Sequence, residues 1–312
     1  MSETVLITGG RGFVGSYLVA ALEARWPDWR LITLNGPSGG QAPFDVADTE
    51  AVDKCIEAVK PSIVVHLAAV SAVTASLLDP EMAWRVNLWG TLNIVQALQR
   101  HAPSCHLLFV SSAEVYGRSL AMSQPVSELA LLEPVNPYAA SKASADILVR
   151  QAAASGLSAT IARPFNHTGA GQSEAFALPS FAAQIARIEQ GLQPPVLSVG
   201  SLDDERDFLD VQDVVAAYVD MLDARASIEA KTVFNVASGQ AHRIGDLLDR
   251  LLSLATVKIE VQTDPARIRP QSVRSVVGDA SRLRAALGWT PRHNLDDTLL
   301  NVLNAQRASI RG

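Results

Sequence analysis

A tyrosine and a lysine stand four residues apart in NPYAASKASADILVR, at positions 138 and 142. This spacing places two side chains on one face of a helix, with β-carbons about 5 to 6 Å apart. Because an ammonium group beside a phenol favours the phenolate, we expect Lys142 to lower the pKa of Tyr138. Bringing a phenol from its ordinary pKa of about 10 to neutrality takes roughly 4 kcal/mol. The pair therefore predicts proton transfer by Tyr138, although an interfacial aromatic beside a solvated lysine has the same spacing.

Three glycines, Gly9, Gly12 and Gly15, follow one another at spacings of three in TGGRGFVGSYL. They come after an apolar run and open a helical pattern. In that setting the first glycine permits a tight turn, the second lets the backbone approach a pyrophosphate, and the third lets the helix pack closely. The helix N-terminus adds amide donors and a positive dipole end. The loop predicts a dinucleotide-binding site.

The form of the dinucleotide depends on the residues after the second apolar run. The segment LNGPSGG has no acidic residue to hold a ribose 2′-hydroxyl, so the sequence does not favour NAD. Arg11, inside the glycine loop, could bind a 2′-phosphate or could simply be solvated. We therefore expect NADP(H) or NAD(H), with a lean towards NADP(H). Asp45 could accept a hydrogen bond from the adenine amino group, or cap the next helix.

Short apolar, β-branched runs alternate with helical patterns in the first half of the chain. Such runs are typical of parallel strands buried on both faces. We predict strands at 4–8, 30–34, 62–69, 106–112 and 158–163, and helices at 13–25, 48–59, 82–101 and 138–155. This βαβ alternation predicts an α/β fold, a Rossmann-type doubly wound parallel sheet.

The pattern of the chain changes after residue 163. Loop-like sequence is followed by helices at 176–190 and 211–223 and by the strands PVLSVG and TVFNVA. We predict an NAD(P)-binding Rossmann domain at 1–163. Residues 164–312 would form a smaller α/β part that mainly binds substrate and could return elements to the Rossmann sheet. A cleft between the two parts would hold the ligands.

Bulk composition limits the possible partners. The chain is 48% hydrophobic and 19% charged, which predicts a buried core and not a disordered protein. A net charge of −6 argues against nucleic acid or an anionic membrane as the main partner. Cys55 and Cys105 stand apart from any Cys/His cluster, so we expect no metal site. With no charged leader and no apolar stretch near about 18 residues, we expect a cytoplasmic protein.

Several motifs together carry a resemblance to a known family. They are, in chain order, the glycine loop, Asp45, HLAAVSAV (66–73), VNLWGTLNIVQAL (86–98), SSAEVYG (111–117) and NPYAASK (136–142). The series resembles extended short-chain dehydrogenase/reductases that act on nucleotide sugars, and the match runs nearly end to end. By this resemblance Ser112, Tyr138 and Lys142 match the catalytic triad. Hydride would come from the nicotinamide and a proton from Tyr138, with Ser112 bonded to the same oxygen and Lys142 holding the ribose.

The resemblance also implies binding residues. Those for the cofactor, beyond the glycines and Arg11, are Phe13, Val14, Asp45, Val46, Leu67, Ala68, Ala69, Tyr138, Lys142 and Arg163. Those for the substrate are Ser71, Asn166, Arg206 and Arg269. A guanidinium group binds phosphate oxygens in pairs, which suits the two substrate arginines. Arg206 could instead form a surface ion pair with its acidic neighbours, and Asn166 could be a turn former.

C-terminal motifs narrow the expected substrate to a GDP-linked sugar. ARPFNHTGAGQ (162–172), ERDFLDVQDVVAAY (205–218) and IRPQSVRSVVGDASRLRAALGW (268–289) resemble the GDP-mannose branch of the family, most of all its GDP-6-deoxy-4-keto-mannose reductases. The reaction implied is reduction of the C4 ketone of GDP-4-keto-6-deoxy-D-mannose to GDP-D-rhamnose by NAD(P)H.

Glu114 keeps a second reaction open. It stands two residues after Ser112, where GDP-mannose 4,6-dehydratases of the same family carry a glutamate base, so it is a candidate catalytic residue. A serine in place of the usual threonine, a different sequence around Asn166 and a shorter chain favour the reductase. Another nucleotide-sugar epimerase or ketoreductase, or a non-catalytic NADP-binding sensor, are the remaining alternatives.

Three further polar residues inside these motifs receive a structural interpretation. His167 has no visible carboxylate or cysteine partner, so we expect a hydrogen-bonded loop residue. His66 should pack between a strand and a helix, and Asn87 should support the site through backbone hydrogen bonds. The resemblance also implies a homodimer that pairs the helices at 82–101 and 138–155 across a two-fold axis.

Overall fold

The structure is a computed structural model that describes residues 3–36, 43–122, 125–268 and 273–311. Within these ranges the strands are β1 (Thr4–Thr8), β2 (Arg30–Leu34), β3 (Ile63–His66), β4 (His106–Val110), β5 (Ala159–Pro164), β6 (Asn166–Thr168), β7 (Val196–Val199), β8 (Glu205–Arg206), β9 (Phe208–Asp210), β10 (Thr232–Val236), β11 (His242–Arg243), β12 (Glu260–Thr263) and β13 (Ser275–Val276). The α-helices are α1 (Phe13–Arg25), α2 (Thr49–Val59), α3 (Val73–Leu78), α4 (Pro80–Trp84), α5 (Gly90–His101), α6 (Pro137–Ala154), α7 (Ala177–Glu189), α8 (Val211–Asp223), α9 (Ile244–Ser253), α10 (Ser281–Leu287) and α11 (Leu295–Arg311).

Six strands form one parallel sheet in the order β2-β1-β3-β4-β5-β10. Strands β3 and β5 are buried at every position, as expected for parallel strands that are covered on both faces. The predicted α/β fold with a Rossmann-type, doubly wound sheet is confirmed.

Helices cover this sheet on both sides. On one face α1 packs against α8, and their side chains, such as Leu18 and Val214, share a core with alternate strand residues. On the other face α2, α5 and α6 form a second core, which contains Ile56, Ile94 and Val149. The carboxyl ends of all six strands therefore open at one edge between two helical layers.

The C-terminal half of the chain contributes to two regions. Helix α8 and strand β10 complete the main sheet layers, which fulfils the expectation that later elements return to that sheet. Helices α7, α9 and α11 pack with β7 around a third core. The division at residue 163 into two domains stays a prediction, because β10 pairs directly with β5 across it.

Helix α6 begins at Pro137, one residue before the predicted start at 138. The side chain of Asn136 accepts a hydrogen bond from the backbone N of Ala139 at 2.8 Å. Proline at the first helical position loses no hydrogen bond, because that N–H has no helical partner. These two residues place Tyr138 in the first turn of α6 and Lys142 one turn later.

Element boundaries differ from the prediction mainly at the site. Strands β3 and β4 end at His66 and Val110, earlier than the predicted 69 and 112, because the chain there leaves the sheet to line a cavity. The predicted helix at 82–101 consists of α4, a π-helical segment at Arg85–Trp89 and α5. None of the helices in the described ranges has the length and apolar character needed to cross a membrane.

Candidate active site

A cavity of about 880 Å³ lies at the carboxyl edge of the main sheet. The glycine loop, the segments that follow β2, β3, β4 and β5, and the first turns of α6 all contribute to its wall. The predicted site residues that line it are Gly9, Arg11, Gly12, Phe13, Val14, Gly15, Asp45, Val46, Leu67, Ala68, Ala69, Ser71, Ser112, Glu114, Tyr138, Lys142 and Asn166. The fold thus brings together almost every residue that the sequence singled out.

The glycine loop has the geometry of a phosphate cradle. Gly9 has a φ of +72°, a left-handed conformation that glycine adopts without strain. The backbone N of Gly12 donates to the carbonyl oxygen of Gly9 at 2.9 Å, which closes the turn. A Cβ added at Gly15 would lie 2.2 Å from that same oxygen, so the start of α1 requires glycine there. The residues present therefore fit a dinucleotide pyrophosphate at the N-terminus of α1.

Ser112 and Tyr138 meet inside the cavity. Ser112 leaves β4 in an extended conformation and accepts a hydrogen bond from the backbone N of Glu114 at 3.2 Å. Its hydroxyl also bonds the Tyr138 hydroxyl. Both side chains are buried, at 8% and 9% exposed. Two hydroxyl groups thus converge where one oxygen of a reacting carbonyl could accept from both.

The pKa of Tyr138 moves in the opposite direction to the one predicted. Burial raises it to about 12, the hydrogen bond from Ser112 lowers it, and the negative charge of Glu114 raises it further. The prediction that Lys142 lowers this pKa is therefore wrong for this structure. The phenol is protonated at neutral pH, which is the state that a proton donor to a ketone requires.

Lys142 is directed away from the phenol. Its Nζ donates to the carbonyl oxygen of Val110 at 2.5 Å and lies 4.6 Å from the centre of the Phe109 ring. Burial lowers the pKa of Lys142 to about 7, and the charge of Asp146 one turn further along α6 opposes that shift. The side-chain nitrogen of Lys142 is thus held at the end of β4, and Lys142 is not among the causes of the pKa shift of Tyr138.

Glu114 lies beside this pair on the cavity wall. Its Oε2 accepts a hydrogen bond from Nδ2 of Asn136 at 3.5 Å, so the residue that caps α6 also orients this carboxylate. A half-buried carboxylate next to Ser112 and Tyr138 is in reach of the reacting group. This position suits both a structural role, through Asn136, and the role of a base that faces the cavity.

At the opposite end of the cavity, polar groups surround the position expected for adenosine. Asp45 Oδ2 accepts from Arg85 Nη2 at 2.8 Å. The backbone N of Arg11 donates to Asn35 Oδ1 at 2.7 Å, while the Arg11 residue is exposed on the cavity rim. Asn35 is the first residue after β2, the place where an acidic residue would bind a ribose 2′-hydroxyl.

Two predicted binding residues within the described ranges, Arg163 and Arg206, do not line this cavity. Arg163 is 1% exposed and forms a two-pronged ion pair with Asp146 through Nε and Nη2, at 2.9 and 2.8 Å. Its role is to join β5 to α6, so the predicted cofactor contact is not supported. Arg206 bonds Asp204 and the backbone of Glu205 outside the described cavity wall. Arg269 lies outside the described residues.

Two structural interpretations from the sequence are confirmed. His66 stands between Thr8 of β1 and Thr91 of α5, at 2.7 and 3.1 Å. Asn87 holds the Val70 backbone through both its amide atoms and donates to Ser141 on α6. These contacts tie the loop after β3 to the helix that carries Tyr138.

His167 is hydrogen-bonded as predicted, with its Nδ1 at 2.9 Å from the carbonyl oxygen of Phe165, but it lies in strand β6 and not in a loop. Its ring stacks on Phe13 at a centroid distance of 6.2 Å, and it lines the cavity.

Sequence reasoning missed several cavity residues. They are Asn35, Arg85, Ser111, Gln172 and Tyr218. The position of Asn35 directly after β2 was a usable signal, whereas Tyr218 reaches the cavity from α8, whose position on the sheet no local pattern shows. Among the described residues, no group of three or more His, Cys, Asp or Glu side chains could hold a metal ion.

The fold and site define an NAD(P)-dependent oxidoreductase of the short-chain type, and comparison with known proteins specifies the family. The family model for GDP-mannose 4,6 dehydratase matches residues 41–302. GDP-6-deoxy-D-mannose reductase of Pseudomonas aeruginosa is 38% identical over 100% of this chain and 99% of its own length.

Solved structures show the same relationship. The structure of RMD from Pseudomonas aeruginosa complexed with NADPH is 36% identical, with a TM-score of 0.87 over 99% of this chain and 100% of that one. UDP-glucose 4-epimerase of Thermus thermophilus in complex with NAD is 28% identical, with a TM-score of 0.85 over 98% and 99% of the two chains. The chain belongs to the GDP-mannose 4,6-dehydratase family of extended short-chain dehydrogenase/reductases.

Proposed function

We propose that this protein reduces the C4 ketone of GDP-4-keto-6-deoxy-D-mannose to GDP-D-rhamnose, with NADPH as the preferred hydride donor. The observation that carries the proposal is the convergence of two protonated hydroxyl groups, those of Ser112 and Tyr138, in a cavity that also holds the glycine loop. The 38% identity to a GDP-6-deoxy-D-mannose reductase over the full chain supports the choice of substrate.

The arrangement fits the charge changes of ketone reduction. When hydride reaches the carbonyl carbon, negative charge develops on the oxygen and must be stabilised as it forms. Ser112 and Tyr138 donate to that oxygen, and Tyr138 transfers its proton. In this proposal the buried Lys142 side chain bonds Val110 and leaves the phenolic proton on Tyr138 before hydride transfer.

The preference for NADPH rests on the rim of the adenosine end. Arg11 supplies a guanidinium group there, and Asn35 replaces the acidic residue that would repel a 2′-phosphate. RMD from Pseudomonas aeruginosa was solved in complex with NADPH. Asp45 binds the adenine amino group in this proposal, with Arg85 holding the carboxylate in place.

The GDP-sugar occupies the part of the cavity lined by Ser71, Asn166 and Glu114. Arg206 is a candidate for the diphosphate only if its side chain leaves Asp204, since the two are paired at 3.2 Å. Arg269 keeps its proposed role in the same binding site on the strength of the sequence resemblance.

A turnover assay tests this function. The protein is mixed with GDP-4-keto-6-deoxy-D-mannose and NADPH or NADH, oxidation of the cofactor is followed by absorbance, and the product is identified by NMR. Tyr138→Phe should lose at least about a hundredfold in kcat, because the proton donor is removed, while NADPH affinity changes little. Near-normal turnover by this variant, or no cofactor oxidation by the wild-type protein, would refute the proposal.

The dehydratase remains the second candidate because of Glu114, which lies on the cavity wall as a base for C5 would. A dehydratase converts GDP-mannose itself and recycles its NADP without net consumption. Glu114→Gln should then abolish conversion of GDP-mannose. In the reductase the same variant keeps substantial turnover of the ketone, so the two substrates and this one variant separate the functions.

The protein is proposed to act as a homodimer. Large apolar side chains are exposed on the adjacent helical segments that the family resemblance places at a two-fold axis, among them Trp84, Trp89 and Ile147. Exposed apolar side chains that cluster on neighbouring helices are typical of an interface with another chain.

A further inference from the structure

Two hydroxyl groups at the cavity have no role in the proposed reaction. The Tyr218 hydroxyl and Ser111 Oγ have no hydrogen-bond partner among the described residues, although the two residues are only 0% and 3% exposed. Both residues line the cavity. Leaving a buried donor or acceptor unsatisfied costs about 1 to 3 kcal/mol, and native proteins contain few such groups. Gln172 Oε1 is a third such group at this cavity, and the two hydroxyls together point to a polar group of a bound ligand.

The position of Ser111 defines the side of the site on which this ligand group lies. Ser111 directly precedes Ser112, and its backbone N donates to the carbonyl oxygen of Ala162 at 2.8 Å, so the chain is still extended alongside β5. Successive side chains of an extended chain point to opposite faces. Because Ser112 faces Tyr138 on α6, Ser111 faces the other layer, in which α8 carries Tyr218.

The same two hydroxyls belong to the reaction end of the cavity and not to the end with the glycine loop. Ser111 is covalently attached to Ser112. The pKa of Tyr218 is raised by burial and, in addition, by the phenol of Tyr138, which is near enough to act on it. The ligand group that hydrogen-bonds Tyr218 and Ser111 is therefore adjacent to the reacting atoms. It lies on the opposite side of these atoms from the hydroxyls of Ser112 and Tyr138.

We propose that Tyr218 and Ser111 form a polar subsite for the carboxamide of the nicotinamide ring and so act as positioning residues for the hydride donor. A carboxamide is neutral and offers both an acceptor oxygen and N–H donors, and hydroxyl groups can satisfy either. When the carboxamide is held in this way, one defined face of the nicotinamide ring is presented to the ketone. This inference rests on the proposed use of a nicotinamide dinucleotide.

Direct binding measurements on the full chain test the subsite without any turnover. Dissociation constants are measured by calorimetry for NADP⁺ and for 2′-phospho-ADP-ribose, which shares the adenosine, phosphates and ribose but lacks the nicotinamide. Tyr218→Phe and Ser111→Ala should each weaken NADP⁺ binding by about three- to tenfold, as expected for one lost neutral hydrogen bond. Binding of 2′-phospho-ADP-ribose should stay within about twofold of the wild-type value.

A stability measurement and a matched control separate this role from a structural one. Because the lost hydroxyl has no partner in the described protein, Tyr218→Phe without ligand should be as stable as the wild-type protein or more stable. Thr160 also carries a buried hydroxyl that lacks a partner among the described residues, but it does not line the cavity. Thr160→Val should therefore leave the affinity for both ligands unchanged.

The outcomes distinguish the subsite from the proposed function. If Tyr218→Phe and Ser111→Ala both bind NADP⁺ with unchanged affinity, the subsite proposal is overturned, and the two hydroxyls bind water instead of the ligand. Equal weakening for NADP⁺ and 2′-phospho-ADP-ribose also overturns it, since the contact would then not involve the carboxamide. Failure of the wild-type protein to bind either ligand overturns the proposed function together with the subsite.

Discussion

At the scale of single residues, burial and not the neighbouring lysine decides how Tyr138 titrates. A spacing of four does bring Lys142 to the same helix face, but its ammonium group bonds the backbone of Val110. The sequence specifies which two side chains are adjacent along α6. It does not specify the direction of a long, flexible lysine side chain, which depends on the carbonyl oxygen at the end of β4.

The lowered pKa of Lys142 has a consequence for stability. An unfolded lysine has a pKa of 10.5, whereas burial lowers the folded value to about 7. At pH values between 7 and 10.5, Lys142 is protonated to a greater extent in the unfolded chain than in the folded one. Its contribution to the free energy of unfolding therefore rises as pH increases through this range. Lys142→Met should therefore gain stability over the wild-type protein at neutral pH and lose that advantage towards pH 10.

Urea unfolding of both proteins at a series of pH values measures this difference. Lys258→Met serves as the control, because Lys258 is exposed and its replacement should produce no comparable trend. A difference between Lys142→Met and the wild-type protein that stays constant over this range would contradict the lowered pKa.

At the scale of elements, α6 carries Tyr138 and Lys142 and is fixed at several points. Asn136 caps its first turn, Asn87 bonds Ser141, and Asp146 forms the buried pair with Arg163 of β5. Tyr138 lies between these anchors. The orientation of the phenol relative to the sheet therefore depends on contacts that come from three other segments of the chain.

The Arg163 pair is expected to be the strongest of these anchors. Arg163→Met leaves Asp146 buried with a half-exposed Arg150 as its remaining cation, and breaking such a pair costs about 3 to 5 kcal/mol. Calorimetry or urea unfolding should show that loss. Arg25→Met, which breaks the exposed ion pair with Asp223, should cost less than about 1 kcal/mol. Equal, small losses in the two variants would show that the buried pair does not hold α6 on β5.

At the scale of the whole molecule, the cavity combines segments that are far apart in the sequence. The glycine loop lies near residue 10, the proposed catalytic hydroxyls are those of Ser112 and Tyr138, and Tyr218 lies on a helix from the C-terminal half. The C-terminal half supplies part of the wall and also completes the main sheet through β10. Ligand binding is thus a property of both halves together.

The proposed homodimer makes a prediction at this scale. Trp89→Glu combined with Ile147→Glu places two buried charges in the proposed interface and should convert the dimer to monomer, with half the mass in sedimentation equilibrium. Leu192→Glu is the control, since Leu192 is exposed on the segment after α7 and away from these helices. A monomeric wild-type protein, or a double variant with the wild-type mass, would rule out this interface.

Local sequence patterns were sufficient to predict the central sheet, its helices and the order of the site residues along the chain. Apolar runs, the Asn-Pro helix start and the glycine spacing are local features, and local backbone preferences act over a few residues. This is why β1, α1 and α8 begin and end where the pattern places them, and why the glycine loop, Ser112 and Tyr138 all reach one cavity.

Roles that depend on a side chain's surroundings followed from long-range packing. Arg163 lies near the end of β5, close to the site, yet its ion pair with Asp146 holds it in the core. The pKa values of Tyr138 and Lys142 depend on burial, and burial arises from segments that fold over them. Tyr218 reaches the cavity because α8 packs on the sheet, and long-range packing of this kind has no local signature in the sequence.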